Sequence, residues 1–323
     1  MQDFNNKIAV ITGGGSGIGR ALARKLSAEG CHIALCDLSA ETMQQTAELC
    51  REHAPEGTRL TCHVCDVADG AAMADFAQAV QEGHSTDHVN LVFNNAGLSG
   101  GGSFINSSPA EWEKIFNICW GGVYNGTRVF LPLLIASEEG HLVNVSSVNG
   151  LWASMGPHIP HTAYAAAKFA VRGFTEALIT DLQNNAPHVH TSVVMPGHIG
   201  TSIAMNSRAH QSASGTLDLN SEELAEARSA WSRMFPEAEQ LSDTDIQQLI
   251  NERVQQFRDN APTTADQAAD IILDGVRARQ WRILVGEDAV ILDEMVRSSP
   301  QEAYNIEFFM QMGERGVFKN MAS

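Results

Sequence analysis

The sequence predicts an α/β fold in which helices cover both faces of a doubly wound parallel sheet. Two observations support this prediction. Short apolar segments rich in β-branched residues alternate with longer segments whose apolar residues recur at helical spacing. Several of the apolar segments also end in glycine, asparagine or hydroxyl side chains, which is typical of strands whose carboxyl ends form one edge of such a sheet.

The composition limits the possible partners of the chain. Its 323 residues carry a formal net charge of −17 and a pI of about 5.0, which disfavours nucleic acids and anionic membrane surfaces as partners. No apolar run is long enough to predict a transmembrane helix, and the N-terminus lacks the features of a signal peptide. The six cysteines show no disulfide-scaffold spacing, so we expect a cytoplasmic protein.

The first strand is followed by a glycine-rich turn. Residues 7–12 are apolar, residues 13–19 read Gly-Gly-Gly-Ser-Gly-Ile-Gly, and a helical segment runs from residue 20 to residue 29. Glycines let the backbone turn sharply and approach a pyrophosphate, which then binds at the helix N-terminus. The order of strand, glycine turn and helix favours such a phosphate site over a glycine turn without a ligand.

The second strand, residues 32–37, ends in Asp37. This carboxylate lies eighteen residues after Gly19, close to the spacing of an acid that binds the ribose 2′-hydroxyl of a dinucleotide. A carboxylate repels a 2′-phosphate, no lysine or arginine lies in residues 13–19, and Leu38 follows the acid. The pattern therefore favours NAD over NADP, with a helix cap formed by Asp37 and Ser39 as the alternative.

The third strand, residues 59–67, carries an acid and two cysteines. Asp66 lies at its end, where a carboxylate could accept a hydrogen bond from an adenine amine. Cys62 and Cys65 form a Cys-x-x-Cys pair, which suggests a zinc or redox site. No second pair follows, so we interpret both cysteines as packing residues and predict no metal site.

The fourth strand, residues 89–94, leads into a loop of small and amide residues that ends at Gly97. Such residues suit a backbone that lies close to a ligand. A capping box that begins at Ser108 then starts a helix that continues to about residue 134. Asn117 lies inside this helix, where an amide is also typical of a hydrogen-bonded core residue.

The stretch from residue 141 to residue 168 carries groups suited to acid–base chemistry. A fifth strand ends in Ser146 and Ser147, and the next helix begins with Tyr164 and Lys168 on one face. A free phenol has a pKa of about 10, and an ammonium about 4 Å away at an effective dielectric of about 20 lowers that pKa by roughly three units. Such a tyrosine can act as a general acid or base. The alternative is a half-buried tyrosine and a solvated lysine that share this spacing by chance.

Together, these motifs resemble those of short-chain dehydrogenases/reductases, in the same order along the chain. The resemblance covers residues 5–203 and, more loosely, residues 262–286. It implies one Rossmann-type domain with seven parallel strands, a homodimer or homotetramer, and hydride transfer between NAD(H) and a secondary alcohol or ketone. The motifs that carry it are Thr12-Gly13-x-x-x-Gly17-x-Gly19, Asn94-Asn95-Ala96-Gly97, Asn117, Ser147, Tyr164-x-x-x-Lys168 and Pro196-Gly197-x-x-x-Thr201.

The resemblance also implies roles for individual residues. Tyr164 matches the proton donor and acceptor, Lys168 the residue that lowers the phenol pKa and holds the nicotinamide ribose, and Ser147 the hydroxyl that positions the substrate oxygen. Asn117 matches an amide that holds a water in the proton relay, and Thr201 the contact to the nicotinamide carboxamide. The implied cofactor-binding set is Gly13, Ser16, Gly17, Ile18, Gly19, Asp37, Leu38, Asp66, Val67, Asn95, Ala96, Gly97, Tyr164, Lys168, Pro196, Gly197, Ile199 and Thr201.

The loop between Ser147 and Tyr164 is a few residues longer than is usual in this family, which leaves Ser146 as an alternative to Ser147. This length places four loop residues near the substrate mouth: Trp152, Met155, His158 and His161. Prolines separate the two histidines and no acidic residue accompanies them. We therefore expect both rings to face solvent rather than bind a metal.

Two segments lie outside the core pattern. Residues 204–261 are predicted to form a helical substrate lid, in which residues 205–219 are rich in serine, alanine and glycine and are expected to be mobile. Apolar stripes in the lid favour a bulky aromatic or alicyclic substrate, or else packing against the core or another subunit. Residues 287–323 form a C-terminal extension that is expected to cover the active site or a partner subunit. The predicted substrate contacts are Trp152, His158, His198, Met205 and Trp231.

The sequence therefore predicts an NAD-dependent oxidoreductase of a secondary alcohol or ketone. The alternative with related chemistry is an NADPH-dependent carbonyl or enoyl reductase. The alternative from another class is a regulatory protein that senses NAD without turnover. Such proteins usually lose the tyrosine and lysine pair, which Tyr164 and Lys168 preserve in this chain.

Overall fold

The computed structural model describes residues 1–100, 102–156, 159–212, 215–232 and 235–317. Within these residues, seven parallel strands form one sheet in the order β3-β2-β1-β4-β5-β6-β9, and β7 and β8 form a separate short pair. The predicted fold class is thereby confirmed. The strands are β1 Ile8–Thr12, β2 His32–Asp37, β3 Leu60–Val64, β4 Leu91–Asn94, β5 Gly140–Val145, β6 Val189–Pro196, β7 Ile199–Gly200, β8 Thr263–Thr264 and β9 Arg282–Val285.

Helices connect the strands and cover both faces of the sheet. None of the described helices is both long enough and apolar enough to cross a bilayer. The helices are α1 Gly17–Ala28, α2 Ala40–Arg51, α3 Gly70–His84, α4 Pro109–Phe116, α5 Gly122–Ile135, α6 Thr162–Asn185, α7 Ile203–Gln211, α8 Ser221–Ser232, α9 Asp243–Asp259, α10 Ala265–Arg277, α11 Glu287–Ser298 and α12 Ile306–Glu314, and a π-helical turn, Asn117–Gly121, joins α4 to α5.

The central strand β1 shows why the sheet needs two covering layers. All five of its residues are buried, and successive side chains point to opposite faces of the sheet. Ala9 and Ile11 pack in one apolar cluster with residues of α1 and α10. Ile8 and Val10 pack in a second cluster with residues of α3, α5 and α6. A strand that is apolar on both sides is stable only inside such a sandwich.

The strand order reverses between β1 and β4. From β1 the sheet continues through β2 to β3 in one direction, and from β4 it continues through β5 and β6 to β9 in the other. Because all seven strands are parallel, the loops after β1, β4, β5 and β6 leave the same edge of the sheet. A crevice at this reversal is the usual ligand site in doubly wound folds.

The C-terminal extension packs on its own chain. Trp152, in the loop after β5, is fully buried in an apolar cluster with Leu292 of α11 and Phe308 of α12. Its indole Nε1 donates a hydrogen bond to the carbonyl of Ala303 at 2.6 Å. The backbone N–H of the neighbouring Ala153 donates to the Tyr304 hydroxyl at 3.1 Å. The extension therefore anchors the loop that precedes α6, while the assignment of the whole chain to one domain stays a prediction.

We predict that Trp152→Ala lowers the free energy of unfolding by about 3–5 kcal/mol, because it removes a fully buried indole and leaves a cavity between the loop and the extension. Urea denaturation followed by far-UV circular dichroism measures this change. The matched control is Trp281→Ala, whose side chain is 46% exposed and which should shift the free energy by about 0.5 kcal/mol or less. Equal losses in the two variants would contradict the anchoring role of Trp152.

Candidate active site

A cavity of about 640 Å³ lies at the carboxyl edge of the sheet, where the strand order reverses. Its volume is typical of small-molecule sites. The ends of β1, β4, β5 and β6 border it on one side, and α7 borders it on the other. Most of the predicted site residues line it: Gly13, Ser16, Gly17, Ile18, Asp37, Leu38, Asp66, Val67, Asn95, Ala96, Gly97, Ser147, Tyr164, Lys168, Pro196, Gly197, His198, Ile199 and Thr201.

Two reciprocal hydrogen bonds hold the end of β5 against α6. The Ser146 hydroxyl donates to the backbone carbonyl of Lys168 at 2.7 Å. The Lys168 ammonium donates to the carbonyl of Val145 at 2.9 Å. Both side chains are buried, so neither bond competes with bulk water. This cross-bonding orients α6 so that Tyr164, one turn before the lysine, faces the cavity.

Ser147, rather than Ser146, is the hydroxyl beside the phenol. Ser146 is committed to the α6 backbone, as described above. Ser147 accepts a hydrogen bond from the backbone N–H of Asn149 at 3.1 Å and interacts with the Tyr164 phenol, which partly lowers the pKa of that phenol. The longer loop therefore leaves the second serine of the pair in the position that the resemblance implies.

The expected effect of Lys168 on the phenol is not what the structure shows. Burial raises the pKa of Tyr164 above its ordinary value, and the nearby Cys119 thiol raises it further. Burial also lowers the pKa of the Lys168 ammonium, which lies 5.4 Å from the centre of the Tyr164 ring and points to the Val145 carbonyl. Desolvation disfavours the charged form of both groups, so the protein alone does not bring the phenol pKa near neutrality.

Asn117, the amide assigned to the proton relay, does not line the cavity. It lies at the start of the π-helical turn and its side chain is exposed. Cys119, two residues later, is fully buried, and its thiol donates to the carbonyl of Leu98 at 3.3 Å. A Cβ placed on Gly97 would lie 3.7 Å from this sulfur and 3.6 Å from the Lys168 ammonium, so both groups border the same glycine.

Helical spacing in the sequence could have identified this position. Ile115 is buried in α4, and Cys119 follows it by four residues on the same apolar face, whereas Asn117 does not. The thiol therefore occupies the interior position beside Tyr164 and Lys168. The relay role of Asn117 therefore stays a prediction, and Cys119 is a buried neighbour of Tyr164 and Lys168 that the sequence reasoning missed.

The glycine turn after β1 is built to receive an anion. Ser16 is the N-cap of α1, yet its side chain makes no capping hydrogen bond, so the first N–H groups of the helix stay available at the cavity wall. Gly13 has a φ of +66°, and a Cβ at this residue would come within 2.9 Å of the Ala96 Cα. Only glycine allows this turn and this close approach of β1 to the loop after β4.

Asp37 binds the same turn rather than capping the next helix. One oxygen of its carboxylate accepts the backbone N–H of Gly15 at 3.0 Å, and the other accepts that of Ser39 at 3.2 Å. Ser39 is the N-cap of α2, since its hydroxyl accepts the backbone N–H of Thr42. The cavity therefore has a fixed carboxylate at the end of β2, with Leu38 exposed beside it.

The turn after β6 is held by the lid and by the C-terminal extension. The His198 backbone N–H donates to the carboxylate of Asp288 in α11 at 2.6 Å. The His198 ring lies with its Nε2 2.6 Å from the carbonyl of Phe257 in α9, and the two rings are 4.5 Å apart. His198 and Phe257 both line the cavity. The lid and the extension thus meet at one residue of the site.

Three of the predicted substrate contacts do not line the cavity. Trp152 is buried under the extension and does not reach the cavity. Met205 is on α7, but its sulfur contacts the Arg258 guanidinium at 3.9 Å and it does not line the cavity. Trp231 packs in the apolar cluster of the lid, where the Arg253 guanidinium lies 4.6 Å from its ring centre. Each of these side chains packs against another segment of the chain, which its local sequence does not reveal.

Three further predictions concern small parts of the site. Gly19 does not line the cavity; it packs against the carbonyl of Gly13 and the Asn95 amide inside the turn. His158 lies outside the described residues. His161, expected to face solvent, is instead buried against the Tyr164 ring. No group of three or more His, Cys, Asp or Glu side chains suited to a metal ion occurs in the described part of the chain.

Comparison with known proteins agrees with this geometry. The family model for short chain dehydrogenases matches residues 7–212. The chain is a short-chain dehydrogenase/reductase. A Mycobacterium tuberculosis protein that bears the oxidoreductase name SadH is 36% identical over 299 residues, which cover 92% of each chain. This short-chain dehydrogenase/reductase is therefore an oxidoreductase by family.

Solved structures extend the comparison. A short chain dehydrogenase/reductase of Burkholderia phymatum in complex with NAD superimposes with a TM-score of 0.75 at 28% identity, over 94% of this chain and 98% of its own. A metagenomic short-chain oxidoreductase in complex with NADP superimposes with a TM-score of 0.53 at 31% identity, over 60% of this chain and 83% of its own. The two neighbours thus hold different nicotinamide cofactors.

We predict that Cys119→Leu lowers kcat/KM of the oxidoreductase reaction at least about tenfold, because a branched side chain in this packed interior displaces the Lys168 ammonium beside Gly97. Initial-rate assays measure the change, and thermal denaturation checks that the variant is folded. The matched control is Asn117→Leu, whose exposed position should leave kcat/KM within about twofold. A larger loss in the Asn117 variant would instead support the proton-relay role of Asn117.

Proposed function

We propose that this enzyme transfers a hydride between NAD(H) and a secondary alcohol or ketone, with Tyr164 as the general acid and base. The observation that carries the proposal is the position of Tyr164, Ser147 and Lys168 together at one end of the cavity. The other end has the uncapped N-terminus of α1 and the Asp37 carboxylate. As in its family, we expect the enzyme to work as a homodimer or homotetramer.

The residues at the nucleotide end fit a dinucleotide. The free N–H groups after Ser16 would bind the pyrophosphate, and Asp37 would accept hydrogen bonds from the adenosine ribose. Asp66 and Val67 line the part of the cavity where the adenine would lie. Thr201, beside Gly17, would contact the nicotinamide carboxamide.

The charges at this end support NAD over NADP. The Asp37 carboxylate would repel a 2′-phosphate. Among the described residues that line the cavity, Lys168 is the only lysine or arginine, and it lies at the other end. Arg20, which follows the turn, donates to the carbonyls of Gly15 and Thr42 instead of facing the cavity. Within the described lining of the cavity, no cation therefore lies where a 2′-phosphate would bind.

The protein supplies position and proton transfer for the reaction. A bound nicotinamide supplies the hydride acceptor and, when oxidised, a positive charge. The Tyr164 phenolate would take the proton of the alcohol, and the Ser147 hydroxyl would hold the substrate oxygen beside it. Lys168 would donate hydrogen bonds to the nicotinamide ribose with the protons that the Val145 carbonyl does not use.

The lining of the substrate end supports a bulky aromatic or alicyclic substrate. Leu98, Met155 and Ile203 border this end, and the Phe257 ring adds an aromatic wall from the lid. Large apolar side chains favour an apolar ring through burial of its surface. The retained Tyr164 and Lys168 pair supports turnover rather than a purely regulatory role for bound NAD.

We predict that Tyr164→Phe lowers kcat for NAD-linked oxidation of secondary alcohols by about 10²–10⁴-fold, because the ring still packs but no group accepts the proton. Absorbance of the reduced cofactor measures the rate. In the wild type, kcat/KM for oxidation should rise with pH, since burial raises the pKa of the phenol that must lose its proton. Full turnover by the phenylalanine variant would reject the mechanism, and Tyr124→Phe, which changes an exposed tyrosine outside the cavity, is the matched control.

We predict that Asp37→Ala lowers the preference for NAD over NADP at least about tenfold, because it removes the carboxylate that binds the ribose and repels a 2′-phosphate. Comparing kcat/KM for the two cofactors with one alcohol measures the preference. Asp69→Ala is the control, since this exposed acid caps α3 outside the cavity. A wild-type preference for NADP, or no change in the variant, would contradict the assignment of NAD.

A further inference from the structure

His161 is a cavity residue that the proposed mechanism does not use. It precedes α6 as its N-cap residue and is only 9% exposed. Its ring lies 4.7 Å from the Tyr164 ring, tilted by 41°. Because the two residues are three apart at the start of one helix, they share a face that borders the cavity.

The ring nitrogens of His161 have no hydrogen-bond partner among the described residues, and the side chain does not cap α6. Burial lowers the pKa of this histidine to about 4, so the ring is neutral at pH 7. A neutral imidazole carries one N–H donor and one acceptor nitrogen. Because His161 lines the cavity, a molecule bound there is the available hydrogen-bond partner for these nitrogens.

The surroundings of His161 disfavour a charged partner. In the described lining of the cavity, Lys168 is the only lysine or arginine, and its ammonium is held by the Val145 carbonyl. Leu98, Met155 and Phe257, which line the same cavity, are apolar. A substrate carboxylate or phosphate would lose its hydration here without gaining a cation. A neutral oxygen would gain a hydrogen bond at little cost.

We infer that His161 binds a second oxygen of the substrate, on the carbon next to the reacting carbon, as in a vicinal diol or an α-hydroxy ketone. The inference rests on the proposed function, which places the reacting oxygen at the Tyr164 phenol. The two ring centres lie only 4.7 Å apart, so one compact substrate can reach both the phenol and the imidazole. Oxygens on adjacent carbons, which lie about a hydrogen-bond length apart, suit so short a span. His161 is thereby a specificity-determining residue for neutral, dioxygenated substrates.

The test compares cyclohexane-1,2-diol with cyclohexanol, using NAD and the full-length protein. The variant His161→Phe keeps an aromatic ring against Tyr164 but removes both hydrogen-bonding nitrogens. We expect the ratio of kcat/KM for the diol to that for cyclohexanol to fall at least about fivefold in the variant. His53→Phe, which changes an exposed histidine outside the cavity, should leave this ratio unchanged.

Three outcomes would overturn the inference. One is an equal loss for both substrates in His161→Phe, which would mean that the histidine only positions Tyr164. Another is a wild-type preference for cyclohexanol that the variant keeps. If the wild type oxidises neither alcohol, the proposed function fails for this class, and calorimetric binding of the diol to the NADH-loaded protein still decides the inference. Equal affinity of wild type and variant for the diol would then reject it.

Discussion

The site depends on the cross-bonding between the end of β5 and the Lys168 turn of α6. The Ser146 hydroxyl and the Lys168 ammonium each bind the backbone of the other element, at 2.7 and 2.9 Å. Gly150 makes this possible, because a Cβ there would lie 2.7 Å from the Lys168 carbonyl and would also meet the Ser146 hydroxyl. With α6 fixed in this way, the phenol of Tyr164 and the hydroxyl of Ser147 reach the same end of the cavity.

This arrangement fixes the positions of the proton-transfer groups but does not by itself favour their charged forms. Burial raises the pKa of Tyr164 and lowers the pKa of Lys168, so packing alone opposes the charged forms that acid–base chemistry needs. Ser147 is the group that acts on the pKa of the phenol in the opposite direction. Cys119 adds a buried, weakly polar thiol beside Tyr164 and Lys168. The protein therefore holds the proton-transfer groups in a partly buried environment, in which a nearby charge acts more strongly than in bulk water.

The features that could be predicted from the sequence are those that depend on a few neighbouring residues. The strand that leads to Gly13, the acid at Asp37 and the spacing of Tyr164 and Lys168 are each encoded within a few residues, and the parallel sheet brings the strand ends together. Positions set by distant segments were not predictable. Trp152 is buried by α11 and α12, which lie about 150 residues further along the chain. By contrast, helical spacing from Ile115 was enough to place Cys119 inside and beside the lysine, whereas Asn117 is exposed at the start of the π-helical turn.

The lid and the C-terminal extension are also positioned by contacts with residues far away in the sequence. Helix α7 forms where the composition indicated a mobile segment, and it brings Asn206 and His210 to the cavity through contacts with the rest of the fold. The lid and the extension then meet at His198, whose ring contacts the Phe257 carbonyl and whose backbone binds Asp288. His198 lies between Gly197 and Ile199 in the cavity wall, so this part of the wall is positioned by contacts from both distant segments. The end of β5 and α6, in contrast, are held by hydrogen bonds that they make to each other.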